Sequence, residues 1–366
     1  MIKAPDHVLK VKAYVPGKPI EELERELGIK DPVKLASNEN PLGPSSLAME
    51  AVLSETKKGS LNLNRYPDGG GFYLKEKLSK ILGMPPDWLI LGNGSNEIID
   101  IAVRTFLSPG DKAVMAAPSF VVYSMSVTLQ GAAAAEVPLE AALRHDLPRM
   151  AGACTPDTKM LFIANPNNPT GAINSKADYE RLFKELPEDV LVVIDEAYIE
   201  YVTNRDYPDS MKYLLEGRNI LILRTFSKIY GLAGLRVGYG ISHPGILAQM
   251  EKVRAPFNSN SIGQAAAIRA LDDTAHVSRS RELNEQGKEF LYKELSALGY
   301  DYAPTEANFI YIRAKDAKGL FDALLKEGVI IRPVGRDAIR VTIGLPEENK
   351  KFINALKKQS FHKNLK

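Results

Sequence analysis

Short apolar runs alternate with longer stretches of mixed polarity along the first two-thirds of the chain. The runs Trp88–Leu91, Lys112–Ala116, Met160–Ala164, Val190–Ile194, Ile220–Leu223 and Gly238–Ile241 are mostly continuous rather than alternating. Runs of this kind belong to strands buried on both faces. Between them, Asn96–Phe106 and Ser175–Leu186 carry apolar residues at helical spacing. Strand and helix in turn predict an α/β fold with a mainly parallel central sheet. After about residue 250 the pattern changes to a long helical region, Gln264–Leu298. Strand candidates Phe309–Ile312, Val329–Arg332 and Ile339–Ile343 and a terminal helix follow. This predicts a second, smaller α+β domain. The expected division is an N-terminal arm and small-domain segment (1–45), a large domain (46–250) and a small C-terminal domain (251–366).

Composition narrows the class. The 366 residues are 45% apolar and 25% charged, as in an ordinary globular enzyme. The net charge of +2 is too small for a nucleic-acid or anionic-membrane footprint. Lys and Arg are scattered, and their densest cluster is the tail, Lys350, Lys351, Lys357, Lys358, Lys363 and Lys366, which reads as a solvated helix face. A single cysteine, Cys154, excludes an intrachain disulfide and suits the cytoplasm. The N-terminus shows no signal-peptide pattern, and no apolar stretch reaches membrane-spanning length. The five histidines have no metal-ligand spacing, so no metal is expected.

Candidate chemistry gathers at the punctuation between these elements. Leu223-Arg224-Thr225-Phe226-Ser227-Lys228 runs from an apolar strand into a hydroxyl-rich turn bearing one lysine, with Arg236 eight residues on. An amine beside hydroxyls and an arginine suits pyridoxal phosphate, which needs a nucleophile for its aldehyde and donors for its phosphate. Val192-Val193-Ile194-Asp195 ends another strand in a carboxylate, and ligands of parallel sheets bind beyond the carboxyl ends of strands. Such a carboxylate can pair with a pyridinium nitrogen, bind Mg²⁺ or cap a helix. Asn165-Pro166-Asn167-Asn168-Pro169-Thr170-Gly171 is a rigid loop from which Asn168 projects an amide. Gly92-Asn93-Gly94-Ser95-Asn96-Glu97 opens a helix whose free N–H groups and dipole favour an anion. Glu97 stands where a dinucleotide fingerprint needs its third glycine, so that motif is rejected. Ser54-Glu55-Thr56-Lys57 matches S-x-x-K without the partner motifs of β-lactamases and reads as helix surface.

In this order, Asn168-Pro169-Thr170-Gly171, Asp195-Glu196-Ala197-Tyr198, Thr225-Phe226-Ser227-Lys228 and Arg236 resemble the fold-type-I pyridoxal-phosphate-dependent transferases, specifically the aminotransferases. Over nearly the whole length the chain resembles the histidinol-phosphate aminotransferase family. The residues that carry this are 14–19, Leu35-Ala36-Ser37-Asn38-Glu39-Asn40-Pro41-Leu42-Gly43-Pro44, Arg65-Tyr66-Pro67-Asp68, the stretches 195–201 and 231–239, Glu306-Ala307-Asn308-Phe309 and 340–344.

The resemblance implies a role for each matching position. Lys228 would hold pyridoxal 5′-phosphate covalently and then act as base. Asp195 would pair with the ring nitrogen, and Asn168 and Tyr198 would hold the ring oxygen. Phe120 would stack on the ring, where many relatives carry tyrosine. Gly94, Ser95, Thr225, Ser227 and Arg236 would bind the phosphate, with Tyr66 reaching it from a neighbouring subunit of a homodimer. Arg340 would grip the α-carboxylate of glutamate, and Tyr14, Asn38, Asn96, Tyr123 and Arg332 would complete the substrate pocket. The implied reaction transfers an amino group between L-histidinol phosphate and 2-oxoglutarate, a step of histidine biosynthesis. The alternatives on the same scaffold are an aromatic amino-acid aminotransferase and a lyase like threonine-phosphate decarboxylase. A regulatory role is disfavoured because every catalytic position is filled.

Overall fold

The computed structural model describes residues 2–14, 17–57 and 64–359. Val15 and Pro16 of the N-terminal motif, and Lys363 and Lys366 of the basic tail, lie outside the described residues.

A seven-stranded sheet organises the larger part of the molecule. Its order across the sheet is Leu89–Gly92, Gly238–Ser242, Ile220–Thr225, Leu191–Asp195, Thr158–Ala164, Lys112–Ala117 and Ala133–Pro138. The last five strands pair in parallel. Gly238–Ser242 runs antiparallel to both of its neighbours. Alternate residues of the central strands feed opposite cores: Leu161, Ile163, Val192 and Ile194 pack on one face, and Met160, Phe162, Leu191 and Val193 on the other. Burial on both faces explains why these strands read as unbroken apolar runs. Ala133–Pro138 is the exception. It is an edge strand with half of its residues exposed, and its alanines carry too little hydrophobicity to announce it.

The long helical region is two helices, Ser261–Ala270 and Thr274–Ala297, broken at Leu271-Asp272-Asp273. The Asp273 side chain accepts from the backbone N–H of His276 and so caps the second helix. The expected strand Val329–Arg332 also divides. Val329–Ile330 pairs in parallel with Val33–Lys34, while Arg332–Val334 joins a separate antiparallel sheet. That four-stranded sheet has the order Arg332–Val334, Ala338–Thr342, Phe309–Arg313, Tyr302–Ala303. It packs with the last helix, Pro346–Lys357, around Ile310, Ile312, Ile339, Val341 and Phe352. Among the described residues no helix is long and apolar enough to cross a membrane.

Candidate active site

The strand register brings the site together. Asp195 is the last residue of its strand, opposite Ala164 on one side and Leu223 on the other. The Asn168 loop and the Lys228 turn therefore leave the sheet beside it. A cavity of about 750 Å³ opens over these strand ends. It is lined by Ser95, Asn96, Phe120, Tyr123, Asn168, Asp195, Tyr198, Thr225, Ser227, Lys228, Arg236, Tyr14, Asn38, Arg332 and Arg340. Of the residues singled out in the sequence, Gly94 and Tyr66 are the ones not on this wall.

Asp195 is buried, and each oxygen already has a partner. Tyr123 Oη donates to Oδ2 at 2.6 Å and the Ala197 N–H donates to Oδ1 at 3.1 Å. Burial pushes the carboxyl upward from its ordinary range, and these two donors oppose that shift. Tyr198 Oη accepts from Asn38 Nδ2 at 2.9 Å, and burial raises its phenol to about 12. Asn38 is itself anchored, with its N–H donating to Thr342 Oγ1 at 2.9 Å. The Phe120 ring stands edge-on to Tyr123, centroids 5.5 Å apart.

Lys228 Nζ lies 3.3 Å from the Ser37 carbonyl and 5.6 Å from the centroid of the Tyr198 ring. Burial, reinforced by Arg340 and Arg236, pushes its amine down to about 8. Near neutrality, then, a useful fraction is the neutral nucleophile, which an ordinary lysine is not.

At one end the cavity forms an anion cradle. Helix Ser95–Phe106 points its N-terminus inward and has no side-chain cap. Arg236 Nη1 donates to Ser227 Oγ at 3.1 Å, and Thr225 and Ser95 stand beside them. Close approach fixes two glycines here. A Cβ on Gly94 would overlap the Arg236 guanidinium, and one on Gly238 would overlap the backbone N–H of Ser95. Gly94 also sits at φ +78°, where a side chain is strained.

Also on the cavity wall, Arg340 donates from Nη1 to Asn168 Oδ1 and from Nη2 to the Ala36 carbonyl, both at 2.6 Å. Its Nε is buried without a partner. Arg332 is the register partner of Arg340 across the antiparallel pair and lies over the Tyr14 ring at 5.3 Å. The cavity thus holds a buried nucleophilic amine, a buried carboxylate and three arginines, Arg236, Arg332 and Arg340.

This arrangement suits transfer chemistry on an anionic cofactor, and the comparisons give the family. The chain matches the family described as aminotransferase class I and II over residues 30–356. It belongs to that family. This aminotransferase is 49% identical to the histidinol-phosphate aminotransferase of Moorella thermoacetica, over 97% of this chain and 92% of that one. It is 47% identical to histidinol-phosphate aminotransferase 2 of Pseudomonas aeruginosa, over 97% of each. The crystal structure of histidinol-phosphate aminotransferase from Sinorhizobium meliloti, in complex with pyridoxal-5′-phosphate, superposes with a TM-score of 0.89 at 27% identity. That match covers 99% of this chain and 98% of that one.

Sequence reasoning missed several features of this aminotransferase. Ser37 offers a backbone carbonyl to Lys228. Tyr123, read as a substrate residue, has its hydroxyl on Asp195 instead. Glu196 forms a buried ion pair with Arg224, Nη2 to Oε2 at 2.8 Å. A charged residue next to Asp195 and another in the Lys228 strand were the available signals for that pair. Tyr66 is exposed and stacked on Phe257, centroids 4.5 Å apart.

Proposed function

We propose that the chain uses pyridoxal 5′-phosphate to transfer the amino group of L-histidinol phosphate to 2-oxoglutarate, giving imidazole acetol phosphate and glutamate. The observation that supports it is the pair of register-matched arginines, Arg332 and Arg340, which line the same cavity as Lys228 and the Arg236 cradle. The cradle serves the cofactor phosphate. The arginine pair receives substrates that bring either a carboxylate or a phosphate ester. Relatives 43–49% identical over 94–97% of the chain, all histidinol-phosphate aminotransferases, support this choice over the aromatic and decarboxylating alternatives.

The cofactor fits the residues present: a cradle closed to any Cβ at Gly94, an amine at Lys228 and a carboxylate at Asp195. When bound, it supplies an aldehyde for the amine and a ring that takes up electrons from the substrate α-carbon. Arg236, Ser227, Thr225, Ser95 and the helix N-terminus behind Gly94 hold the phosphate by charge-assisted hydrogen bonds. Asp195 holds a proton on the ring nitrogen. Asn168 and Tyr198 orient the ring oxygen, and Phe120 covers one face. Lys228 Nζ holds the cofactor and then moves the proton at the α-carbon. The fork of Arg340 takes a carboxylate through two parallel bonds, for which its geometry is suited.

The working unit in this reading is a cytoplasmic homodimer. Tyr66 is 80% exposed and does not line the cavity of its own subunit. Phe257, on which Tyr66 stacks, is also exposed, as are the neighbouring rings Phe72 and Tyr73. A second copy placed there would deliver Tyr66 to the partner's phosphate.

The test mixes cofactor-loaded enzyme with single amino donors and follows the visible absorbance. A much larger kcat/KM for histidinol phosphate than for phenylalanine or tyrosine is expected. The reverse order replaces this reading with an aromatic aminotransferase, and CO₂ release from threonine phosphate replaces it with a lyase.

A further inference from the structure

Tyr123 belongs to the cavity wall beside Asp195. Its side chain is 1% exposed, so it presents almost no surface to a substrate. The ring stacks on Phe162 at 4.9 Å with 15° between planes and meets Phe120 in a T-shaped contact at 5.5 Å. This packing aims the hydroxyl at Asp195 Oδ2, 2.6 Å away. Asp195 Oδ1 is fixed separately by the Ala197 N–H. Two donors from different parts of the chain thus set the plane of one carboxylate. Phe120 and Tyr123 also share a turn, since the Tyr123 N–H donates to the Phe120 carbonyl at 3.1 Å. A single turn therefore carries the ring that covers the cofactor face and the hydroxyl that steers the carboxylate at its edge.

We infer that Tyr123 is a positioning residue that keeps Asp195 ionised and planar toward the cofactor ring nitrogen, acting through Asp195 and not on the substrate. This rests on the reading of Asp195 given above. Physically, a buried carboxylate is disfavoured in its charged form, and a hydroxyl donating to that form restores it. The other groups bearing on Asp195 are Lys228, which favours the charge, and Glu196, which opposes it. The Tyr198 and Tyr207 phenols, both pushed up by burial, stay neutral. Tyr123 itself is also raised, so it remains a donor at working pH.

The experiment reads the protonated-carboxyl infrared band of the cofactor-free enzyme against pH. Asp195→Asn identifies the band by removing it. Tyr123→Phe is expected to move its midpoint upward by about one pH unit, tenfold in the ionisation constant. Phe162→Leu, which disturbs the same packing and spares the hydroxyl, is expected to move it much less. In the loaded enzyme, Tyr123→Phe should lower kcat with little change in KM, and should add almost nothing once Asp195→Asn is present. An unmoved band, or full additivity of the two substitutions, overturns the inference. If Asp195→Asn alone leaves kcat intact, the role of Asp195 fails instead, and the infrared shift still reports on the Tyr123 contact.

Discussion

Arg340 and Asn168 are joined by a 2.6 Å hydrogen bond between segments 172 residues apart in sequence. The bond orients the Asn168 amide. With Oδ1 accepting from the guanidinium, the Nδ2 side is left as a donor toward the cavity. The residue assigned to the substrate carboxylate and the residue assigned to the cofactor oxygen are therefore placed by one another. Replacing Arg340 by lysine removes the fork and this brace together. A loss of about 2–4 kcal/mol in kcat/KM for glutamate is expected, the scale of a broken charge-assisted pair. Single-turnover kinetics with glutamate checks it, and intact turnover would assign the carboxylate to another residue.

Lys228 should titrate near 8, well below an ordinary lysine. Labelling of the cofactor-free enzyme by an amine-selective reagent, read by peptide mass spectrometry, should rise through about pH 8 at Lys228 and level off. Surface lysines should go on rising toward their ordinary value of ~10.4. The stability linkage has a definite sign. The folded amine binds its proton more weakly than the unfolded one, so between about 8 and ~10.5 the unfolded state holds more protons and this residue's contribution to stability rises with pH. Below about 8 the penalty is fully present. Lys228→Met should flatten that limb of the unfolding profile.

Gly94→Ala places a methyl group against the Arg236 guanidinium at a backbone angle unsuited to it. Affinity for pyridoxal phosphate should fall by about 1–3 kcal/mol, the cost of a strained backbone position. Affinity for pyridoxal, which lacks the phosphate, should change much less. Equal losses for the two ligands would remove the cradle from the explanation.

The ion pair of Arg224 with Glu196 joins adjacent strand ends, with the Glu196 side chain only 1% exposed. Arg224→Met leaves a buried carboxylate without its cation. Denaturant unfolding should show a loss of about 3–5 kcal/mol. A loss below about 1 kcal/mol would mean that Glu196 takes up a proton or finds another partner.

Tyr66→Phe chains mixed with Lys228→Ala chains test the shared site. In the mixed dimer one site carries both lesions and the other neither, so activity at limiting cofactor should recover on mixing. Without recovery, Tyr66 serves its own subunit or none.

Much of this site was legible because its chemistry sits where strands stop. Asp195 and Thr225 end their strands, and prolines and glycines mark the Asn168 loop. The relations among these residues were not legible. Tyr123 and Asp195 are 72 positions apart, and periodicity carries no information about which hydroxyl meets which carboxylate. The edge strand Ala133–Pro138 escaped because a half-exposed edge strand can be built from alanines, which read as neither strand nor core. The break between Ser261–Ala270 and Thr274–Ala297 escaped because Asp272-Asp273 reads equally well as a polar helix face until the cap geometry is seen.

The parallel pairing of Val33–Lys34 with Val329–Ile330 has a consequence for synthesis. During translation, the segment carrying Ser37 and Asn38 has no strand to dock on until Val329–Ile330 has left the ribosome. Asn38 likewise waits for Thr342. The seven-stranded sheet is complete long before that, with Lys228, Asp195 and Arg236 already on it. A nascent chain therefore completes its seven-stranded sheet before Val33–Lys34 can pair, and the later strand captures the earlier one as it folds.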